Sequence, residues 1–156
     1  MDFEELNGIN IQWPWSRLIL DGEKSVETRS YPIPKRYLNV ELAVIETPGR
    51  CGRKHGAVPQ AQIAGTVIFS ASFLYRCRES WVLDFERHRV PESDIQFGYR
   101  SEMPKWGWNI HKFKKFSQPF IAPKNKGIVF TKRCQVPLAR SELFSNDIFT
   151  SDFFDL

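Results

Sequence analysis

Five stretches of the chain combine β-branched or aromatic residues with alternating apolar and polar positions, a pattern that predicts strands of a partly buried sheet. These stretches cover residues 25–31, 39–47, 62–75, 106–116 and 127–132. The pattern therefore predicts five or six strands.

Two segments have the periodicity of helices instead. Residues 14–21 start at Pro14, which suits the first helical position, and stop before Gly22, which suits a left-handed conformation. Residues 78–89 carry bulky apolar side chains at helical spacing and end before Pro91. Many short strands with two or more flanking helices predict an α+β fold, a small, partly open β-barrel of five to six strands.

Proline and glycine punctuate residues 48–56, so we predict a loop there. Its potential cations are Arg50, Arg53, Lys54 and His55. They either extend a basic binding surface or belong to a mobile, solvated loop.

Length and composition limit the class of protein. At 156 residues the chain suits one domain with a single core. No apolar run approaches the roughly 18 residues that a membrane-spanning helix needs, and the first residues are acidic, unlike a secretory signal. Three widely spaced cysteines, Cys51, Cys77 and Cys134, indicate reduced thiols. We therefore expect a cytoplasmic protein.

We expect neither a metal nor another cofactor. Cys51 and His55 offer two ligands where zinc needs three or four, and His88 and His111 stand alone as surface or hydrogen-bonded residues. The sequence has no phosphate-binding glycine loop and no Gly-x-Ser-x-Gly element.

The net charge of +4 is unevenly distributed, because both ends of the chain are acidic and the middle is basic. Residues 104–134 contain only basic charges, interleaved with aromatic residues; Trp108, Lys112, Lys114 and Lys115 are among them. This mixture suits single-stranded RNA or a nucleoside, since cations neutralise phosphates and aromatic faces stack on unpaired bases. Alternatively, the aromatic residues fill the core and the lysines form a solvated face.

The most informative cluster of charges lies in residues 22–29, Gly-Glu-Lys-Ser-Val-Glu-Thr-Arg. Lys24 follows the end of the first helix, and alternation in the next strand puts four side chains on one face, those of Ser25, Glu27, Arg29 and Tyr31. Glu27 and Arg29 can form a pair that holds the carboxylate ionised and in a fixed rotamer. The alternative is a purely structural ion pair at a strand edge.

This motif resembles the opening signature of the ASCH family, whose domains belong to the PUA-like superfamily. Residues 9–15, Ile-Asn-Ile-Gln-Trp-Pro-Trp, precede the helix, and Gly-x-Lys-x-x-Glu-x-Arg follows it. Later landmarks agree in order, namely a glycine-containing strand at 63–67, a tryptophan strand at 106–110, and Pro119 before a last strand at 126–130. The resemblance implies one PUA-like domain over residues 9–134.

An acidic, aromatic tail follows this domain, over residues 135–156. We expect the tail to pack on the domain. Alternatively, residues 143–156 bind a protein partner, or the tail covers the basic cleft and competes with nucleic acid.

The resemblance implies a domain that binds RNA, another single-stranded nucleic acid or a modified nucleoside in a basic cleft beside the motif. The residues expected to bind the ligand are Trp13, Trp15, Lys24, Glu27, Arg29, Tyr31, Trp108, Lys112, Lys114 and Lys115.

A hydrolase is the alternative function, because ASCH members include ribonucleases and small bacterial amidohydrolases that act on N4-acylated cytidines. In that case Lys24 and Glu27 would be the catalytic residues. Lys24 matches the lysine of the amidohydrolases, but Glu27 stands where they have a threonine, and Thr28 is one place late. This departure favours binding over amidohydrolysis.

Overall fold

The computed structural model describes residues 2–137, which form a six-stranded sheet and four short α-helices. The strands are β1 (Phe3–Gln12), β2 (Val26–Arg29), β3 (Leu42–Thr47), β4 (Gln62–Tyr75), β5 (Lys105–Ile121) and β6 (Phe130–Pro137). The helices are α1 (Trp15–Leu20), α2 (Gly49–His55), α3 (Arg78–Leu83) and α4 (Phe85–His88), and a single 3-10 turn covers Lys35–Tyr37.

The sheet is mixed, with the strand order β2-β5-β4-β3-β1-β6. The neighbours β1 and β3 are parallel, and the other neighbouring strands are antiparallel. This confirms the predicted α+β class with six strands. Within residues 2–137 the sheet stays open, with β2 and β6 as its two edges, so the predicted barrel is only partial.

The sheet extends beyond the predicted domain at both ends. β1 begins at Phe3, and it pairs with β6 as far as Pro137. The first half of β1 carries acidic residues that did not indicate a strand, whereas Ile9 and Ile11 in its second half are buried in the core. The rest of the predicted tail, residues 138–156, lies outside the described residues.

The prediction of a loop at residues 48–56 was wrong, because most of that segment is the helix α2. Its glycines allow close packing and mark the helix ends. Gly52 is buried against Pro48 and Trp13, and Gly56 ends the helix in a left-handed conformation at φ +64°. The basic side chains of α2 remain exposed.

The main hydrophobic core packs α1 against the sheet and includes Ile19, Leu42, Phe69 and Trp108. A second buried cluster lies around Ile45, Ile63 and Phe116, and a third surrounds Trp81. All of β3 except its last residue is buried, which is why its sequence is almost continuously apolar. The part of the chain that the structure describes contains no helix long and apolar enough to cross a membrane.

Candidate functional site

The turn that follows α1 directs Lys24 into the protein. Gly22 adopts the left-handed conformation at φ +80°, as the sequence predicted, and the backbone N–H groups of Glu23 and Lys24 both donate to the carbonyl of Leu18. β2 then begins at Val26 and pairs with β5. The motif is therefore fixed from both sides, by a helix end and by a strand pairing.

Lys24 is almost fully buried, with 1% of its surface exposed. Its ammonium group donates to the carbonyl of His88 and lies 3.5 Å from Glu27 Oε1. Burial lowers the pKa of Lys24 to about 8, although Glu27 opposes this change. The amine is thus held in place by two oxygen atoms inside the protein.

His88 supplies that carbonyl from a well-packed position. Its ring is buried and stacks on the indole of Trp81, with the ring centres 4.5 Å apart. Nδ1 accepts a hydrogen bond from the N–H of Val90, so Nε2 is the atom that donates to the carbonyl of Trp81. Burial lowers the pKa of His88. The prediction that this histidine is a hydrogen-bonded residue is confirmed.

The carboxylate of Glu27 lies between two cations. Oε1 accepts from the backbone N–H of Thr28 at 2.9 Å, and Oε2 accepts from Arg29 at 3.3 Å. Burial alone would raise the pKa of Glu27, but Lys24 and Arg29 together lower it below the ordinary value. The predicted Glu27–Arg29 pair is confirmed, and Glu27 is ionised at neutral pH.

The side chain of Arg29 packs against the ring of Trp108. The guanidinium lies 5.6 Å from the centre of the Trp108 ring and donates to the carbonyl of Asn10 at 3.0 Å. Trp108 is fully buried, and its indole N–H donates to the carbonyl of Tyr31 at 2.9 Å. One buried tryptophan thus positions both Arg29 and the backbone of Tyr31.

A cavity of about 390 Å³ opens beside this cluster. Four of the residues predicted for ligand binding line it, namely Trp15, Glu27, Arg29 and Tyr31. The cavity is of the size that protein ligand pockets usually have. The motif therefore forms part of the wall of a real cleft.

The other predicted residues lie elsewhere. Lys24 and Trp108 stand behind the wall, and Trp13 packs against His55, with ring centres 5.9 Å apart. The three predicted lysines of β5 lie where this strand pairs with the middle of β4. Lys112 is opposite Ile68, Lys114 is opposite Thr66, and Lys115 is opposite Gly65. Lys115 forms an ion pair with Asp21. Within residues 2–137, none of these six residues is part of the cavity lining.

Several residues that line the cavity were missed by the sequence prediction. Cations come from Arg100 and Lys105, an aromatic ring from Phe97, and polar groups from Asn10 and Gln12. Most of these follow Asp94, whose carboxylate accepts from the backbone N–H groups of Gln96 and Phe97. The Ser-Asp sequence signals such a turn, but no local signal shows that the turn folds over β2.

Lys105 connects this turn to the site. Its ammonium group donates to the carbonyl of Phe97 at 2.9 Å and lies 5.9 Å from the centre of the Trp81 ring. Burial lowers the pKa of Lys105, while the nearby charge of Glu27 opposes the change. The cavity wall formed by residues 94–104 is thus tied to the first residue of β5.

The cavity can therefore offer three kinds of contact to a ligand. The ionised carboxylate of Glu27 accepts hydrogen bonds, Arg29, Arg100 and Lys105 provide positive charge, and Trp15 and Phe97 provide aromatic surface. Within residues 2–137, no group of three or more His, Cys, Asp or Glu side chains is placed to hold a metal ion.

No protein-family model and no curated protein sequence matches the chain significantly. Solved structures do match. The crystal structure of ASCH from Zymomonas mobilis superposes with a TM-score of 0.61 at 12% identity, covering 87% of this chain and 90% of that one. A tyrosine-to-phenylalanine variant of that protein gives a TM-score of 0.60 at 12% identity and covers 87% and 93%. A serine-to-alanine variant gives 0.59 at 12% identity and covers 87% and 91%. The chain therefore has the fold of an ASCH domain.

Proposed function

We propose that this protein is an ASCH-type domain that binds RNA by holding one nucleotide in the cavity beside Glu27 and Arg29. One observation carries the proposal, namely that a buried, ionised carboxylate, three cations and aromatic surface converge on one cavity of about 390 Å³. An unpaired nucleotide needs the same three contacts.

Each contact has a counterpart in a nucleotide. The carboxylate of Glu27 accepts from an exocyclic amino group, as acidic side chains do from cytosine. Arg100 and Lys105 also line the cavity, where they attract a phosphate. Trp15 and Phe97 already meet edge to face, with ring centres 4.9 Å apart, and offer a surface on which a base can stack.

Hydrolysis of RNA or of an N4-acylated cytidine is the second candidate, because a lysine with a pKa of about 8 is partly deprotonated near neutral pH. Two observations favour binding instead. The Lys24 ammonium is buried and engaged by His88 and Glu27, and it stands behind the cavity wall. The lowered pKa of Glu27 makes it a weak proton acceptor.

Fluorescence anisotropy with a labelled single-stranded RNA of mixed sequence tests binding. Arg100 is an exposed residue of the cavity wall, and we expect Arg100→Ala to weaken RNA binding about tenfold. The matched control is Arg36→Ala, an exposed arginine that stacks on Tyr37 and does not line the cavity. Equal affinities of these two variants, or no binding by the wild type, would overturn the proposal.

A second experiment separates binding from catalysis. The wild type and Lys24→Met are incubated with end-labelled RNA and with N4-acetylcytidine, and the products are resolved by gel and by liquid chromatography. The proposal predicts intact substrates with both proteins. Turnover by the wild type that Lys24→Met loses would establish the hydrolase.

A further inference from the structure

The helix α2 presents a basic surface that the cavity does not include. Four of its seven residues are exposed potential cations, Arg50, Arg53, Lys54 and His55, and it contains no acidic residue. Among the described residues, none of these four forms an ion pair.

The arginines of α2 differ from five arginines that each pair with a carboxylate, namely Arg17, Arg29, Arg78, Arg87 and Arg89. Arg36, Arg76, Arg100 and Arg133 likewise form no ion pair within the described residues, but they are not clustered on one helix. The arginines of α2 remain available to an external anion. An exposed group of like charges also repels itself, and a bound polyanion relieves that repulsion.

The position of α2 links it to the cavity. Thr47 lines the cavity and is followed by Pro48 and α2, so Arg50 is three residues away and its Cα is at most about 11 Å from that of Thr47. On the other side, an added Cβ at Gly49 would lie 2.5 Å from the side-chain oxygen of Gln12, which also lines the cavity. The helix is thus packed against the rim.

Trp13, the residue after Gln12, also packs on α2. Its Cβ lies 3.5 Å from the position of a Cβ on Gly52, and its ring centre lies 5.9 Å from that of His55. It is half-buried. A base that follows the nucleotide in the cavity can reach this ring before its phosphates reach the cations of α2.

We infer that α2 is a second contact site for the sugar-phosphate backbone, so that the protein binds single-stranded RNA as a polymer and not a free nucleotide alone. This inference rests on the proposed function. The cavity holds one nucleotide, Trp13 contacts the neighbouring base, and Arg50, Arg53 and Lys54 neutralise the phosphates beyond it.

The test compares Arg53→Ala/Lys54→Ala with the charge-matched control Lys35→Ala/Lys132→Ala, which removes exposed lysines from the 3-10 turn and from β6. Both full-length variants are checked for folding by circular dichroism. Affinities are measured for a labelled single-stranded RNA 12-mer over a salt series and for the four nucleoside monophosphates.

We expect the α2 variant to bind the 12-mer about tenfold more weakly than the control at low salt. The slope of log affinity against log salt should fall by about 1.4, because two phosphate contacts are lost at about 0.7 each for a single strand. Affinity for the monophosphates should stay within twofold of the wild type, since the cavity is unchanged.

The inference and the proposed function fail in different ways. If the wild type binds the 12-mer and the α2 variant behaves like the control, α2 makes no contact and only this inference is overturned. If the wild type binds neither the 12-mer nor any monophosphate, the proposed function itself is wrong. A polyglutamate peptide tests whether α2 binds an acidic protein instead. If the α2 variant loses binding to this peptide while its RNA binding is unchanged, the helix binds an acidic protein partner and the inference is overturned.

Discussion

The ammonium of Lys24 lies 3.5 Å from the carboxylate of Glu27, and both side chains are more than nine-tenths buried. This pair differs from the ion pairs at the surface of the protein, such as Arg78–Glu92 and Arg89–Glu86, because the side chains of those pairs are exposed to water. Burial makes each charge costly unless it keeps its partners, so removal of one partner should destabilise the fold far more than the pair itself stabilises it.

Substitution of Glu27 and substitution of Lys24 should have different effects on the stability of the protein. Glu27→Gln leaves the buried Lys24 without a counter-charge, and we expect a loss of about 3 kcal/mol in the free energy of unfolding. Lys24→Met replaces the ammonium by an apolar group of similar length, leaves Glu27 paired with Arg29 and removes only the donor to the neutral carbonyl of His88, so we expect a smaller loss of about 1 kcal/mol. Urea denaturation measures both.

The control for this experiment is Glu86→Gln, which removes a carboxylate that is 83% exposed and paired with Arg89. Its effect should be within about 0.5 kcal/mol. If Lys24→Met were as damaging as Glu27→Gln, Arg29 would not be sufficient to stabilise the carboxylate.

The stability of the folded protein should fall at acidic pH, and part of this fall should depend on Glu27. Its pKa in the folded protein lies below the ordinary value of 4.5, so its contribution is complete above that value and is lost as the pH falls through the lowered pKa. Thermal unfolding between pH 3 and 7 should show a steeper fall for the wild type than for Glu27→Gln. Parallel curves would mean that Glu27 has an ordinary pKa.

Lys24 should act in the opposite sense at alkaline pH. Its pKa is about 8 in the folded protein against 10.5 in the unfolded chain, so the unfolded state binds more protons between these values. Stability should therefore rise through this window by about 3 kcal/mol relative to Lys24→Met, which lacks the group. A wild type and variant with the same profile from pH 7.5 to 10.5 would contradict the lowered pKa.

The local features of this site could be predicted from the sequence because local rules determine them. Gly22 ends the helix, strand alternation pairs Glu27 with Arg29, and the run at 62–75 gives β4 with the same bounds. Each depends on residues that are neighbours in the chain.

The part of the cavity wall formed by residues 94–104 could not be predicted, because it depends on contacts that are distant in sequence. Lys105 is near β2 only because β5 pairs with β2, and Phe97 is held by contacts with Lys105 and Trp15. The helix in the basic segment 48–56 could not be predicted for a different reason. Glycine usually interrupts a helix, whereas Gly52 provides the close approach that lets α2 pack on Trp13.

Two glycines of the sheet should differ sharply in their tolerance of a methyl group. At Gly65 an added Cβ would lie 2.2 Å from the carbonyl oxygen of Lys114, a backbone atom in the adjacent strand. At Gly107 it would meet the ring of Phe73 at 2.3 Å, and a ring can turn aside. We expect Gly65→Ala to cost about 3 kcal/mol and Gly107→Ala about 1 kcal/mol in urea denaturation. The reverse order would show that β4 and β5 can separate more easily than Phe73 can turn.

Lys105 should hold the wall of the cavity in place. Its hydrogen bond to the carbonyl of Phe97 connects β5 to residues 94–104, so Lys105→Met should release this segment while leaving the sheet intact. We expect faster hydrogen exchange at the amides of Phe97 and Gly98, and weaker RNA binding by about tenfold, without a comparable change in the sheet. Lys105→Gln retains a donor without the charge. If Lys105→Gln has the slow hydrogen exchange of the wild type but the weak RNA affinity of Lys105→Met, the hydrogen bond shapes the wall and the charge attracts the ligand. If neither variant alters hydrogen exchange, Lys105 does not position this segment.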